Sequence, residues 1–187
     1  MMILYGGAFN PPTIAHQKII EYLIHRFPID DIVILPANAS YRHEIVEYDH
    51  RQKMLELLIS AFDASITISD YEARQTSFTG TIETLRHFNN PLFVIGCDQL
   101  LGLEEWIAFP HIVEENHFLV FPRHGIDAQL YIDHHPILHE YHTHFEVVTD
   151  FEAINVSSSE YRASHDTSQL TPEIMNYITE HHLYEVK

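Results

Sequence analysis

Near the start of the chain, the stretch LYGGAFNPPTIAH places Thr13 and His16 three residues apart, behind Gly6, Gly7 and the pair Pro11-Pro12. A hydroxyl and an imidazole at that spacing share one face of a helix, and both can donate to anionic oxygens. Glycines let a backbone bend sharply and a ligand approach the main chain, while prolines stiffen a helix start at little cost. Together with the unsatisfied N–H groups of a helix start, this set suits the binding of phosphate. It is neither the G-x-G-x-x-G fingerprint nor G-x-x-x-x-G-K-[ST]. The plainer reading is a strand–helix loop in which His16 only packs or caps.

A second set stands far along the chain, in INVSSSEYR at 154–162. Ser157-x-x-Glu160 has capping-box spacing and predicts a helix starting there. Ser158 and Arg162, four apart, then share a face and offer a hydroxyl and a guanidinium to further phosphates. The plainer reading here is a capped surface helix with a solvated arginine.

Both sets need elements that bring them to one place. Residues 2–5 read as a strand, and 14–27 place Ile19, Ile20, Leu23, Ile24 and Phe27 on one helical stripe. Further strands are expected at 31–36, 66–69, 92–95 (ending in Gly96), 117–121 and 145–149. Helices are expected at 49–62, 81–88, around 104–115, from Ser157 and at 172–182. The least regular stretch is 122–144. Alternating helices and nearly continuous apolar strands indicate an α/β fold, a single doubly wound parallel sheet with short C-terminal helices, in one domain over 1–187. Ligands of such folds lie beyond the carboxyl ends of the strands, where both motifs belong.

The chain has 187 residues, 10 Lys+Arg against 27 Asp+Glu and a formal net charge of −17. Such a balance argues against nucleic acid as a partner, because duplex binding needs basic area. It repels free phosphates too, so a phosphate site must be a local device of N–H groups and a few cations. Sixteen histidines make the charge change steeply between about pH 5 and 7. No apolar run is long enough to span a bilayer, no secretory signal is evident, and the single cysteine, Cys97, precludes an internal disulfide framework. The expected location is the cytoplasm, with no membrane partner; an oligomer stays open.

GGAFNPPTIAH resembles the G-x-F-D-P-x-[HT]-x-G-H signature of the nucleotidyltransferase superfamily, and INVSSSEYR resembles its I-S-S-T-x-I-R motif. FVIGCDQLLGLEEW, at 93–106, is similar to the I-G-x-D-x-L…W segment of bacterial nicotinate-nucleotide adenylyltransferases. PAN, HRQKM, TIETL, FPR and TPEIMNYITEHHLY follow in the same order as in that family. The resemblance runs from Ile3 to Tyr184. It implies a Rossmann-like nucleotidyltransferase fold and transfer of AMP from ATP to nicotinate mononucleotide, giving deamido-NAD and pyrophosphate, usually with Mg²⁺.

Carried over, it makes Gly6, Gly7, Phe9, Asn10, Thr13, His16, Ser157, Ser158 and Arg162 the ATP site, with His16, Thr13 and Arg162 assisting the reaction. On the acceptor side it implies Thr81 near the nicotinate carboxylate, Asp98 on ribose hydroxyls, Trp106 stacked on the pyridine ring and Arg123 on the acceptor phosphate. The chain departs from the family at Asn10 (usually Asp), Thr13 (usually His in the pyridine branch), Ala15 (usually Gly), Ser159 (usually Thr) and Gly80 (often aromatic). The family lysine after strand 2 is missing, and Arg42 is the candidate replacement. These departures leave open another adenylyl or cytidylyl transfer, with nicotinamide mononucleotide or 4′-phosphopantetheine as acceptor.

One stretch belongs to a different class of function. DHHPILHEYHTHF carries His134, His135, His139, His142 and His144, and the spacing of His135 and His139 suits a zinc or nickel ligand pair on a helix. With a proline and no cysteine it reads better as a solvated loop than as a metal-binding module beside a relic active site. No metal-ligating residue is assigned.

Overall fold

The computed structural model describes residues 1–27, 31–38 and 46–185. Six parallel strands form one sheet: β1 (Met2–Gly7), β2 (Asp31–Pro36), β3 (Ile66–Ile68), β4 (Leu92–Gly96), β5 (Phe118–Phe121) and β6 (Phe145–Val147). Their order, β3-β2-β1-β4-β5-β6, is the doubly wound arrangement. The helices are α1 (Ile14–Arg26), α2 (Tyr48–Ile59), α3 (Thr81–His87), α4 (Cys97–Leu101), α5 (His111–Glu115), α6 (Ala128–His134), α7 (Ser158–Ser164) and α8 (Pro172–Glu180).

Alternation along β1 divides the core. Ile3 and Tyr5 face Ile20 and Leu23 of α1, Met54, Leu55 and Leu58 of α2, and Ile174 and Ile178 of α8. Leu4 faces the other way, into a layer with Ile82 and Leu85 of α3, Leu100 of α4, Ile112 of α5 and Ile132 of α6. Both faces of the sheet are therefore covered, which is why its strands read as continuous apolar runs.

Three expectations change. Gly6 and Gly7 lie within β1, opposite Leu35 and Pro36, and neither has a positive φ. Their bareness serves packing: a Cβ at Gly6 would sit 3.1 Å from the Phe93 ring, and one at Gly7 would sit 3.2 Å from the Phe9 ring. The sharp bend falls two residues later, at Phe9, whose φ of 45° lies in the left-handed region. The helix expected around 104–115 is instead a 3₁₀ turn at Leu103–Glu105 followed by the separate α5, with a cis Phe109–Pro110 bond between them.

The stretch 122–144, expected to be irregular, contains α6. The Asp127 carboxylate caps that helix by accepting from the Leu130 N–H at 2.9 Å. Among the described residues no helix is long and apolar enough to cross a membrane.

Strand order reverses between β1 and β4. Their pairing runs from Ile3↔Leu92 to Tyr5↔Val94, and the strand ends beyond it form the mouth of a crevice.

Candidate active site

Thr13 is the N-cap of α1 and is fully buried. Its N–H donates to His16 Nδ1 at 2.9 Å, and its hydroxyl lies 2.9 Å from the same nitrogen. A backbone N–H can only donate, so Nδ1 is the acceptor and the ring proton of neutral His16 sits on Nε2. The imidazole takes the place that Glu or Gln holds in a capping box. Burial, with a smaller contribution from the nearby Arg123 charge, lowers the His16 pKa from 6.5 to about 4. The ring packs beside Phe9 (centroids 5.0 Å apart) and Tyr5 (6.2 Å), and burial also raises the Tyr5 phenol pKa. At neutral pH the crevice thus holds a neutral imidazole with a fixed N–H donor.

This protonation state makes stability depend on pH. Between pH 6.5 and about 4 the unfolded chain binds a proton at this position that the folded chain refuses, so stability falls as pH drops through that window. By about pH 5 the contribution lost amounts to about 2 kcal/mol. His16→Gln keeps an acceptor for the Thr13 N–H but cannot titrate. In denaturant unfolding, the stability difference between wild type and His16→Gln is expected to shift against wild type by about that amount between about pH 7 and 5. A difference that stays constant over that range would show that His16 is not held neutral by the fold.

The second motif docks directly on the first. Ser157 caps α7, its hydroxyl accepting from the Glu160 N–H at 3.1 Å. The Ser158 hydroxyl donates to the Pro11 carbonyl at 2.7 Å. Arg162 Nη1 donates to the Asn10 carbonyl at 2.6 Å, and Nη2 to Ser159 Oγ at 3.3 Å. Two successive carbonyls of the first loop are therefore held by α7. The guanidinium has five N–H bonds, so this clamp does not exhaust its donors.

The loop is also braced from behind. Asn10 is buried, and its Oδ1 accepts from the Val46 N–H at 3.2 Å and the Tyr184 hydroxyl at 2.9 Å. Arg51, fully buried, donates from Nη1 to the Ala8 carbonyl at 3.0 Å and from Nε to the Val46 carbonyl at 2.9 Å. Its Nη2 has no partner among the described residues. Sequence reading singled out neither Arg51 nor Tyr184 as a site residue, although both lie inside quoted segments, HRQKM and the closing HHLY. Local spacing gives no sign that Arg51 reaches the Ala8 carbonyl or that Tyr184 reaches Asn10.

On the β4 side, Asp98 and Arg123 approach at 3.6 Å, both partly accessible. A Cβ at Gly96 would collide with the Asp98 carboxylate, so the glycine is needed for that carboxylate to fold back. Gln99 Oε1 accepts from the Gly96 N–H at 3.0 Å and fixes this turn. Trp106 is half-buried, with its ring edge-to-face against Phe93 at 6.3 Å. Thr81 opens α3, and the preceding Gly80, with φ of 102°, would place a Cβ 2.9 Å from Ile107 Cβ. Thr81 and Trp106 therefore flank one contact between two chain segments. Arg42 lies outside the described residues.

Below α3 lies a polar cluster that the sequence reading missed. Glu72 is buried, which raises its pKa, and it accepts from the Asn38 N–H at 3.2 Å and the Thr84 hydroxyl at 3.1 Å. Its members lie 12 and 34 residues apart in sequence, so no local pattern marks them.

The histidine stretch has structural uses. His135 is buried, its Nδ1 accepting from the Ile137 and Leu138 N–H groups at 3.2 and 3.0 Å and its Nε2 lying 3.0 Å from Glu104. His144 Nδ1 pairs with the Val113 carbonyl at 2.7 Å. Among the described residues no three His, Cys, Asp or Glu side chains come together to hold a metal ion. Mg²⁺ dehydrates reluctantly and commonly binds through substrate phosphates, so this site fits an ion carried by a polyphosphate and not one caged by protein. A separate cleft of about 390 Å³, lined by Ile14, Gln17, Leu58, Ala61, Leu170 and Pro172, contains none of the candidate ATP-site or acceptor-site residues.

A sequence profile of the cytidylyltransferase-like family matches residues 4–164. A relative from Acholeplasma laidlawii, described as "Probable nicotinate-nucleotide adenylyltransferase", is 31% identical over 193 residues, covering 99% of this chain and 98% of its own. One from Clostridium acetobutylicum with the same description is 27% identical, covering 97% of each. Among solved structures, the fold is similar to Plasmodium falciparum nicotinic acid mononucleotide adenylyltransferase complexed with NaAD, with a TM-score of 0.79 and 20% identity over 98% of this chain and 96% of that one. The same enzyme complexed with APC gives a TM-score of 0.77 at 22% identity, with the same coverage. A fold wound to bring two motifs distant in sequence together, and relatedness along the whole chain, lead to one assignment: the chain belongs to the cytidylyltransferase-like family, among its nicotinate-nucleotide adenylyltransferases.

Proposed function

We propose that this protein transfers AMP from ATP to nicotinate mononucleotide, releasing pyrophosphate and forming deamido-NAD, and that it does so in the cytoplasm as one nucleotidyltransferase domain. The observation that carries the reading is the docking of Ser158 and Arg162 on the Pro11 and Asn10 carbonyls, which makes one polar surface of both motifs.

A phosphate monoester already carries its attacking oxygen near neutral pH, so no general base is needed. The work left to the protein is to align two anions and to meet charge as pyrophosphate departs. The Nε2–H of neutral His16 and the free N–H groups at the start of the thirteen-residue α1 face the reacting phosphate. Thr13 fixes the imidazole. Arg162 and Ser158 hold the leaving phosphates, while Gly6, Gly7 and Phe9 shape the wall beneath. Mg²⁺ bound to ATP would neutralise part of the polyphosphate charge. Across the crevice, Asp98 accepts from ribose hydroxyls, Arg123 meets the acceptor phosphate, and Trp106 and Thr81 bound the pyridine ring, with Arg42 as a further cation.

The test is pyrophosphate release from ATP and Mg²⁺ with nicotinate mononucleotide, nicotinamide mononucleotide or 4′-phosphopantetheine offered separately. Turnover is expected with the nicotinate acceptor in preference to the others. Release with 4′-phosphopantetheine alone, or with no acceptor at all, would overturn the assignment.

A further inference from the structure

Tyr184 follows α8, and its φ of 63° lies in the left-handed region, uncommon for a bulky residue. Two interactions hold it there. Its ring meets Tyr161 edge-to-face, centroids 5.9 Å apart, and Tyr161 is the buried neighbour of Arg162 in α7. Its hydroxyl donates to Asn10 Oδ1 at 2.9 Å.

The direction of that bond follows from a neighbour. The Val46 N–H also faces the Asn10 side chain, at 3.2 Å, and a backbone N–H requires an acceptor. The atom between them is therefore the carboxamide oxygen, and the phenol must be its second donor. Burial raises the Tyr184 pKa, so the phenol keeps its proton. Asn10 is thus gripped at its side chain by Val46 and Tyr184, while its carbonyl receives Arg162 Nη1 at 2.6 Å.

We infer that Tyr184 is a positioning residue of the polyphosphate site: its hydroxyl fixes the Asn10 carboxamide and so holds the Asn10 carbonyl where Arg162 docks, without touching substrate. The inference rests on the reading that this loop and Arg162 take the phosphates of ATP. A bond to one side-chain oxygen sets the orientation of a residue whose main chain positions the key cation. Its loss therefore affects ATP, and leaves the acceptor contacts on the β4 side intact.

ATP cannot react without an acceptor, so its affinity can be measured by titration calorimetry on the full chain with Mg²⁺. Tyr184→Phe keeps the ring against Tyr161 and removes only the hydroxyl. It is expected to weaken ATP binding and raise the KM for ATP about tenfold, with the KM for the acceptor unchanged. In an Asn10→Ala background the same substitution is expected to have no further effect, because the bond has already lost its acceptor. Tyr184→Met, a second variant without the hydroxyl, should reproduce the loss if Phe perturbs the thermal midpoint. Wild-type ATP affinity in Tyr184→Phe, or an equal loss in the Asn10→Ala background, would overturn the inference alone. Absence of ATP binding by the wild-type protein would overturn it together with the proposed function.

Discussion

His16→Ala is expected to lower kcat by about a hundred- to a thousandfold, the usual effect of removing one preorganised donor to developing charge. The substitution also frees the Thr13 N–H that Nδ1 now receives at 2.9 Å, a helix-start loss of about 1 kcal/mol. His16→Gln separates the two consequences. Glutamine suits the capping-box position and can accept from Thr13, but it lacks the ring that sets Nε2–H at the crevice. Stability should therefore be restored in His16→Gln while turnover stays low. Single-turnover formation of deamido-NAD is the direct measurement, because it isolates the transfer step from product release. An unchanged rate in either variant would remove His16 from the chemistry.

Arg162→Lys is expected to lose nearly as much kcat/KM as Arg162→Ala, about a hundredfold or more for each. In the proposed function the guanidinium performs two tasks at once. One edge holds the Asn10 carbonyl and Ser159 hydroxyl, and its remaining N–H groups stay available for phosphate oxygens. An ammonium preserves the charge but is a point donor on a flexible stem, so it serves the loop or the ligand and not both. Steady-state kinetics with ATP varied at saturating acceptor would measure this. Near-wild-type activity in the lysine variant would show that charge alone suffices and that the fork geometry is incidental.

Much of this site could be read from the chain because its signals are local. The capping-box spacing of Ser157 and Glu160 placed the start of α7, and Thr13 with His16 placed the start of α1. Continuous apolar runs marked the strands, since both faces of the sheet are covered. The departures have physical causes. Gly6 and Gly7 read as a bend because glycine permits one, whereas here they make room for the rings of Phe93 and Phe9. The stretch 122–144 read as irregular because histidines and a proline hid a seven-residue helix whose cap, Asp127, is an ordinary acidic residue. Arg51, Glu72 and Tyr184 carried no signature, because what defines them is a partner distant in sequence. A fully buried arginine bonded to two carbonyls looks, in the sequence, like any surface cation on an amphipathic helix.

The carbonyls of Asn10 and Pro11 take their donors from residues 152 and 147 positions further on. During translation, the first loop leaves the ribosome long before either donor is made. Early strands can pair as they emerge, yet the first loop keeps these two carbonyls undocked until α7 arrives. A chain cut before residue 158 would leave both carbonyls without these side-chain donors.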